Sequence, residues 1–260
     1  MNSIMVKTRL PKSTAYGYIE GIALTQEHKS DILRRRKELL RNKTNPRKGA
    51  CLSGRNINKP LGWSTKVVRI VSHFMFDGHV RESGCTYYNR SKNQIERLKK
   101  LIGQIFKIKP ILHTRADGVI VMAFHNVEFA AYIKEKIKEI FCFLQTKGTK
   151  KEKREFLKTF FDDEGNIYYT RNDKRRVRGY QKSREILEKI ACLLEKFGIK
   201  ARIDMHSKAI EISGRENLIT FAREINFSPL ICMNPNRKNS LWQEEIEKRE
   251  ILKMAISSYN

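Results

Sequence analysis

The chain has 260 residues, 53 Lys/Arg against 28 Asp/Glu, and a formal net charge of +25. A charge that large is best tolerated beside a polyanion, with nucleic acid ahead of an acidic membrane surface. No apolar run reaches spanning length, and no signal peptide is visible, so an intracellular protein with no membrane role is expected. Five widely spaced cysteines without a Cys-x-x-Cys pair fit reduced thiols better than a disulfide or zinc framework.

Residues 1–62 read as a basic extension, with 14 Lys/Arg against 4 Asp/Glu in the first 60. Thr25 is placed as a helix N-cap, with His28 where a capping box has Glu. That helix would run through Ile32 to Leu40 until Asn45-Pro46 breaks it. The segment has too few apolar residues for its own core. Either it lies along phosphates, or Tyr16, Tyr18, Ile19, Ile22 and Leu24 brace the first folded unit.

Residues 63–146 form a first unit. Lys66 to Phe76 is an apolar helix, followed by a hairpin of His79 to Glu82 and Cys85 to Arg90 around Ser83-Gly84. Ser91 caps an amphipathic helix with Ile95, Leu98, Ile102, Ile105 and Phe106 on one face. Ile111 to Thr114 and Val119 to Phe124 make a second hairpin, and Asn126 caps a further helix. After a basic linker the order restarts in residues 147–228. It runs as a helix from Lys153 to Glu164, strands Asn166 to Thr170 and Arg176 to Lys182, and a helix capped by Ser183. Strands Ala201 to Met205 and Ala209 to Ser213 come next, then a helix from Arg215 to Ile225. Each unit is αββαββα. Residues 229–260 hold a loop and a last helix, Gln243 to Ser257.

Both units open alike. Helix 153–164 ends Phe161-Asp162-Asp163-Glu164-Gly165, and helix 66–76 ends Phe74-Met75-Phe76-Asp77-Gly78. The carbonyl end of a helix carries partial negative charge, so a carboxylate there is disfavoured unless a cation joins it. The following glycine is expected to take the left-handed conformation that stops a helix. Asp77 and Glu164 on adjacent helices would form a divalent-metal site. Taken singly, each acid–glycine pair reads more readily as a surface turn; the repetition argues for the site.

The strands alternate as half-buried sheets do. His79, Arg81 and Ser83 share a face, as do Thr86, Tyr88 and Arg90. In the second unit the polar faces carry Asn166, Tyr168 and Thr170, then Arg176, Arg178, Tyr180 and Lys182, then Arg202, Asp204 and His206. Arg115 and Lys174 sit in the turns. Such faces can lie in a major groove and read base edges, or be ordinary solvated surface.

Leu157 to Gly165 resembles the nine-residue motif of the LAGLIDADG homing endonucleases, with Glu164 at the acid position. Ile70 to Gly78 is a fainter match, with Asp77 there. The resemblance spans about residues 66–227. It implies an α+β fold of two pseudo-twofold-related repeats with saddle-like antiparallel sheets, the motif helices packed at their interface. It also implies a monomeric hydrolase serving intron or intein mobility. That enzyme would use Mg²⁺ or Mn²⁺ at Asp77 and Glu164 to cut a long double-stranded DNA site with staggered 3′ overhangs. Arg90, Lys92, Gln181 and Lys182 are the auxiliary catalytic candidates. Motif positions three and seven are usually small. Here they are Ser72 and Phe76, and Thr159 and Asp163, so Phe76 departs from the pattern. The basic extension loosely resembles small DNA-binding repeats appended to some of these enzymes. The same fold also serves non-cleaving DNA binders and intron-splicing maturases that bind structured intron RNA, which is the alternative function. An unrelated basic RNA-binding protein is a third.

Overall fold

The computed structural model describes residues 57–170, 174–233, 242 and 244–259, together with Glu27, Ser30 and Arg34. Two compact units divide between residues 53 and 54. In the first, Glu27, Ser30 and Arg34 are helical and exposed, and Ser30 Oγ donates to the Glu27 carbonyl at 2.8 Å. The N-cap at Thr25, the break at Asn45-Pro46 and the apolar positions from Tyr16 to Leu24 lie outside the described residues.

The second unit contains two copies of one arrangement. The first copy runs α1 (Thr65–Phe76), β1 (Gly78–Arg81), β2 (Gly84–Asn89), α2 (Lys92–Phe106), β3 (Ile111–Thr114), β4 (Ile120–Phe124) and α3 (Val127–Thr146). The second runs α4 (Lys150–Glu164), β5 (Gly165–Tyr169), β6 (Arg175–Tyr180), α5 (Arg184–Glu195), β7 (Arg202–Asp204), β8 (Ala209–Ser213) and α6 (Arg215–Glu224). A last helix, α7, spans Lys248–Ser257. The sheets are antiparallel, in the orders β1-β2-β4-β3 and β5-β6-β8-β7. The αββαββα repeat is therefore the architecture. Among the described residues no helix is long and apolar enough to cross a membrane.

Local chemistry sets the boundaries. The side chains of Ser91, Asn126 and Ser183 accept from the backbone N–H three residues on, as N-caps do. α4 starts at Lys150 rather than Lys153, because Thr149 and Glu152 form a reciprocal capping box. The first hairpin turns at Glu82-Ser83 rather than Ser83-Gly84, since Gly84 already pairs with Arg81. α7 starts at Lys248 rather than Gln243. Glu247, just before it, is extended and bridges to Cys232.

One hydrophobic core runs through both repeats, and α1 and α4 cross at its centre. Ser72 Oγ and Thr159 Oγ1 turn inward to the carbonyls of Val68 and Glu155, at 2.7 and 2.9 Å, so neither hydroxyl is left unsatisfied at the crossing. Phe76 lies against α4. It is partly exposed and packs on Phe156 and Phe160, with ring centroids at 5.5 and 5.0 Å.

Candidate active site at the repeat interface

α1 and α4 pack against each other, and Asp77 and Glu164 at their C-terminal ends line the same cleft. The helix stops differ from the sequence expectation. Gly165 has φ −88 and ψ 154, so it is extended, not left-handed, and Gly78 is not among the positive-φ glycines. Close approach requires glycine instead. A Cβ on Gly78 would stand 2.3 Å from the Phe74 carbonyl oxygen, and one on Gly165 would stand 2.2 Å from that of Phe161. The chain thus passes from helix to strand in one residue. Each acid sits at the junction of its helix and the first strand of its sheet.

The cleft measures about 720 Å³. Asp77, Tyr88, Asn89, Arg90, Asp162, Asp163, Glu164 and Lys248 are among its lining. Burial, then repulsion by Asp163 and Glu164, pushes the Asp77 carboxyl up to about 8, with Lys248 opposing. Burial, then Asp163, pushes Glu164 up to about 7, again opposed by Lys248. Asp162 is raised to about 6 by burial, although it accepts from Ser228 N–H at 2.8 Å. Carboxyls crowded this way resist ionising until a cation arrives.

Asp163 occupies the small-residue position and is fully enclosed. Its Oδ2 lies 2.8 Å from His73 Nδ1. Its Oδ1 accepts from Tyr87 Oη at 2.9 Å and from the Gln94 amide. Asn89 Nδ2 in turn donates to Tyr87 Oη at 3.0 Å. His73, Tyr87 and Gln94 all come from the first repeat and Asp163 from the second, so this network ties the halves directly behind the cleft. Lys248, from outside both repeats, is 8% exposed. Its ammonium donates to the carbonyls of Asp162, at 3.2 Å, and Gly165, at 2.7 Å. It thereby satisfies the carbonyl end of α4, where a cation is favoured.

Of the sequence-predicted residues, Asp77, Tyr88, Arg90 and Glu164 line the main cleft. Asn166 and Tyr180 line a smaller adjoining one of about 420 Å³. Lys92, Gln181 and Lys182 line neither. Lys92 and Lys182 are exposed, and Gln181 Oε1 accepts from Ser183 N–H. His79, Arg81, Thr86 and Tyr88 lie on one sheet face, and Asn166, Tyr168, Arg176, Arg178, Tyr180, Arg202 and Asp204 on one face of the other. Ser83, Arg115, Lys174 and His206 are exposed outside the strands, and Thr170 is half-buried at the end of β5. Asp162, Asp163, Lys248, His73, Tyr87 and Gln94 are additions that the sequence reasoning missed. The run of three acids at 162–164 was the available signal for the first two.

Among the described residues no group of three or more His, Cys, Asp or Glu side chains is arranged to hold a metal ion. Two carboxylates lining one cleft are as many protein ligands as a hard cation such as Mg²⁺, which keeps much of its water, would take.

Residues 151–226 match the LAGLIDADG-like domain. No curated protein matches the chain. The fold is similar to that of a variant of the homing endonuclease I-DmoI, solved in complex with its target DNA in the presence of Mn. The identity is 19% over 64% of this chain and 96% of that one, with a TM-score of 0.50. It is also similar to full-length DUF199/WhiA from Thermatoga maritima, at 15% identity over 78% of this chain and 63% of that one, with a TM-score of 0.50. Identities this low speak for fold alone. The second repeat thus matches a LAGLIDADG-like domain, and the chain as a whole shares its fold with both the I-DmoI variant and DUF199/WhiA.

Proposed function

We propose that the protein is a site-specific double-stranded DNA endonuclease that hydrolyses phosphodiester bonds at the cleft between its repeats. One observation carries this reading. Two helices from different repeats deliver Asp77 and Glu164 to one cleft, where both carboxyls are held well above their ordinary range. That arrangement is unfavourable for an idle surface and suited to a divalent cation. A bound Mg²⁺ or Mn²⁺ would supply an acidified water and stabilise charge on the departing oxygen. The chain's own residues do the remainder. Asp77 and Glu164 hold the cation. Arg90, Asn89 and Tyr88 face the same cleft and orient the phosphate. The His73–Asp163–Tyr87–Gln94 network keeps the two acids in register, and the two open sheet faces bind the duplex on either side. The likeness to an endonuclease solved with its target DNA supports the same reading. The protein would act as an intracellular monomer serving intron or intein mobility.

A second reading is a non-cleaving binder of DNA or structured intron RNA. The ammonium of Lys248 favours it, because it already places a cation beside the acids. Incubating the protein with a randomised duplex pool in Mg²⁺ and sequencing the ends separates the two. Cleavage of a discrete sequence class, lost in Asp77→Asn and Glu164→Gln with binding retained, is the nuclease outcome. Retained binding without any cut ends, in the wild type as well, is the outcome for the binder.

A further inference from the structure

The two repeats share a backbone plan, yet their open sheet faces carry different chemistry. Gly78 opposes Tyr87 in the first sheet, and Gly165 opposes Gly179 in the second. These motif glycines align the strands residue by residue. One row across the second sheet is then Asn166, Arg178, Glu211 and Arg202. The corresponding row of the first sheet is His79, Thr86, Ala123 and Ile111. The arginine–acid–arginine of one repeat replaces threonine–alanine–isoleucine in the other.

Glu211 is 7% exposed and lies within this row, between Arg178 and Arg202. Its Oε2 accepts from Arg176 Nη1 at 2.8 Å and lies 3.6 Å from Arg178 Nε, and its Oε1 lies 3.5 Å from Arg202 Nη2. Arg178 is held again by Asp204 Oδ2 at 3.3 Å and by Ser207 Oγ. Tyr168 and Tyr180, whose hydroxyls are 2.7 Å apart, lie beneath its guanidinium. Side-chain exposure rises from 10% at Arg178 to 25% at Arg176 and 72% at Arg202. The deepest arginine is a support, and the outer two present themselves.

A buried acid is a poor device for gripping phosphate, since it subtracts positive charge from the surface. It is a good device for aiming guanidinium groups. An arginine anchored by part of its fork offers its remaining N–H edge in a fixed direction, which a planar bidentate acceptor matches. In the major groove that acceptor is the O6/N7 edge of guanine, whereas small apolar side chains meet the thymine methyl. Resting on the duplex reading above, we propose that Glu211 is a specificity-determining positioning residue. It aims Arg176 and Arg202 at guanine in the half-site under the second repeat. At the symmetry-related place the exposed Ile111 and the half-buried Thr86 offer methyl groups to thymine instead.

The test is selection of the full chain on a randomised duplex library in EDTA, repeated for Glu211→Gln and Arg202→Ala. The second variant leaves the buried carboxylate in place, so it reports even if the first does not fold. The expected result is a two-part consensus. Either substitution reduces guanine preference at one or two positions of one half by at least about tenfold, with the preferences of the other half unchanged. A consensus without guanine in the affected half overturns the inference, as does a uniform loss of affinity across all sequences. Failure to enrich any duplex would instead overturn the DNA-reading proposal on which it rests.

Discussion

Asp77→Asn should make the metal-depleted protein more stable. In the folded chain the Asp77 carboxyl holds its proton up to about pH 8, with burial as the first cause. In the unfolded chain an aspartate releases it near pH ~4. Between those values the unfolded state binds fewer protons, so this group's contribution to stability falls as pH rises, until the folded carboxyl also ionises. Each pH decade in that window costs about 1.4 kcal/mol, so the span to pH 7 amounts to roughly 4 kcal/mol. Water entering an open cleft reduces this, so a gain of about 1–3 kcal/mol is expected from the isosteric amide. At a urea m-value of about 2–3 kcal/mol/M, the midpoint should rise by about 0.3–1.5 M. The assay is urea unfolding in EDTA at pH 7.5, followed by far-ultraviolet circular dichroism, and then again in excess Mg²⁺. Wild type should gain stability from Mg²⁺ and lose it between pH 5 and 8 without metal. Asp77→Asn should gain little from Mg²⁺ and lose less stability over that range, the remaining loss coming from Glu164 and Asp162. A variant less stable than wild type in EDTA, or a wild-type stability that rises across that pH range, would refute the reasoning.

Asp163→Ala should cost about 2–4 kcal/mol in urea unfolding, because His73, Tyr87 and Gln94 lose their shared acceptor in the buried interface. An equal effect from Glu155→Ala, whose Arg69 partner is 41% exposed, would argue against a special role for that network. Lys248→Met should cost about 2–3 kcal/mol, since the carbonyls of Asp162 and Gly165 lose a charged donor. Recovery of part of that loss on adding Ca²⁺, which wild type should not show to the same degree, would identify the ammonium as the resident counter-charge. Removal of residues 1–56 should leave a folded unit, because Asn58 already anchors to the Phe106 and Ile105 carbonyls. The shortened protein should bind duplex DNA with a shallower salt dependence, by about 0.9 in log–log slope for each phosphate it no longer neutralises. An unchanged slope with a large fall in Tm would make the basic segment a brace instead.

The order of elements was legible because local signals agree with the global fold. Ser91, Asn126 and Ser183 announce helices whose apolar faces recur at helical spacing, and the strands between them alternate. The paired acids were legible as well, since a carboxylate followed by glycine at a helix end is unusual twice over. Partnerships made across the fold were not legible. Asp163 stands where a small residue is expected, and nothing local says that His73, 90 residues away, will meet it. Lys248 belongs to the last helix and enters the cleft by tertiary packing alone. Gly78 and Gly165 depart from the expected left-handed stop because their identity answers to the carbonyl oxygens of Phe74 and Phe161, not to a positive φ. On the open sheet face, alternation places Arg178 correctly. It cannot show that Glu211, Asp204 and Ser207 hold that side chain down while Arg202 remains exposed.

The most direct measurement is anomalous diffraction from crystals of the full chain bound to a selected duplex in Mn²⁺. A peak is expected within coordination distance of carboxylate oxygens of both Asp77 and Glu164 and of a backbone phosphate between the two half-sites. No peak at that position, with the Lys248 ammonium still seated on the carbonyls of Asp162 and Gly165 beside the phosphate, would contradict a metal-dependent nuclease and leave a DNA binder in its place.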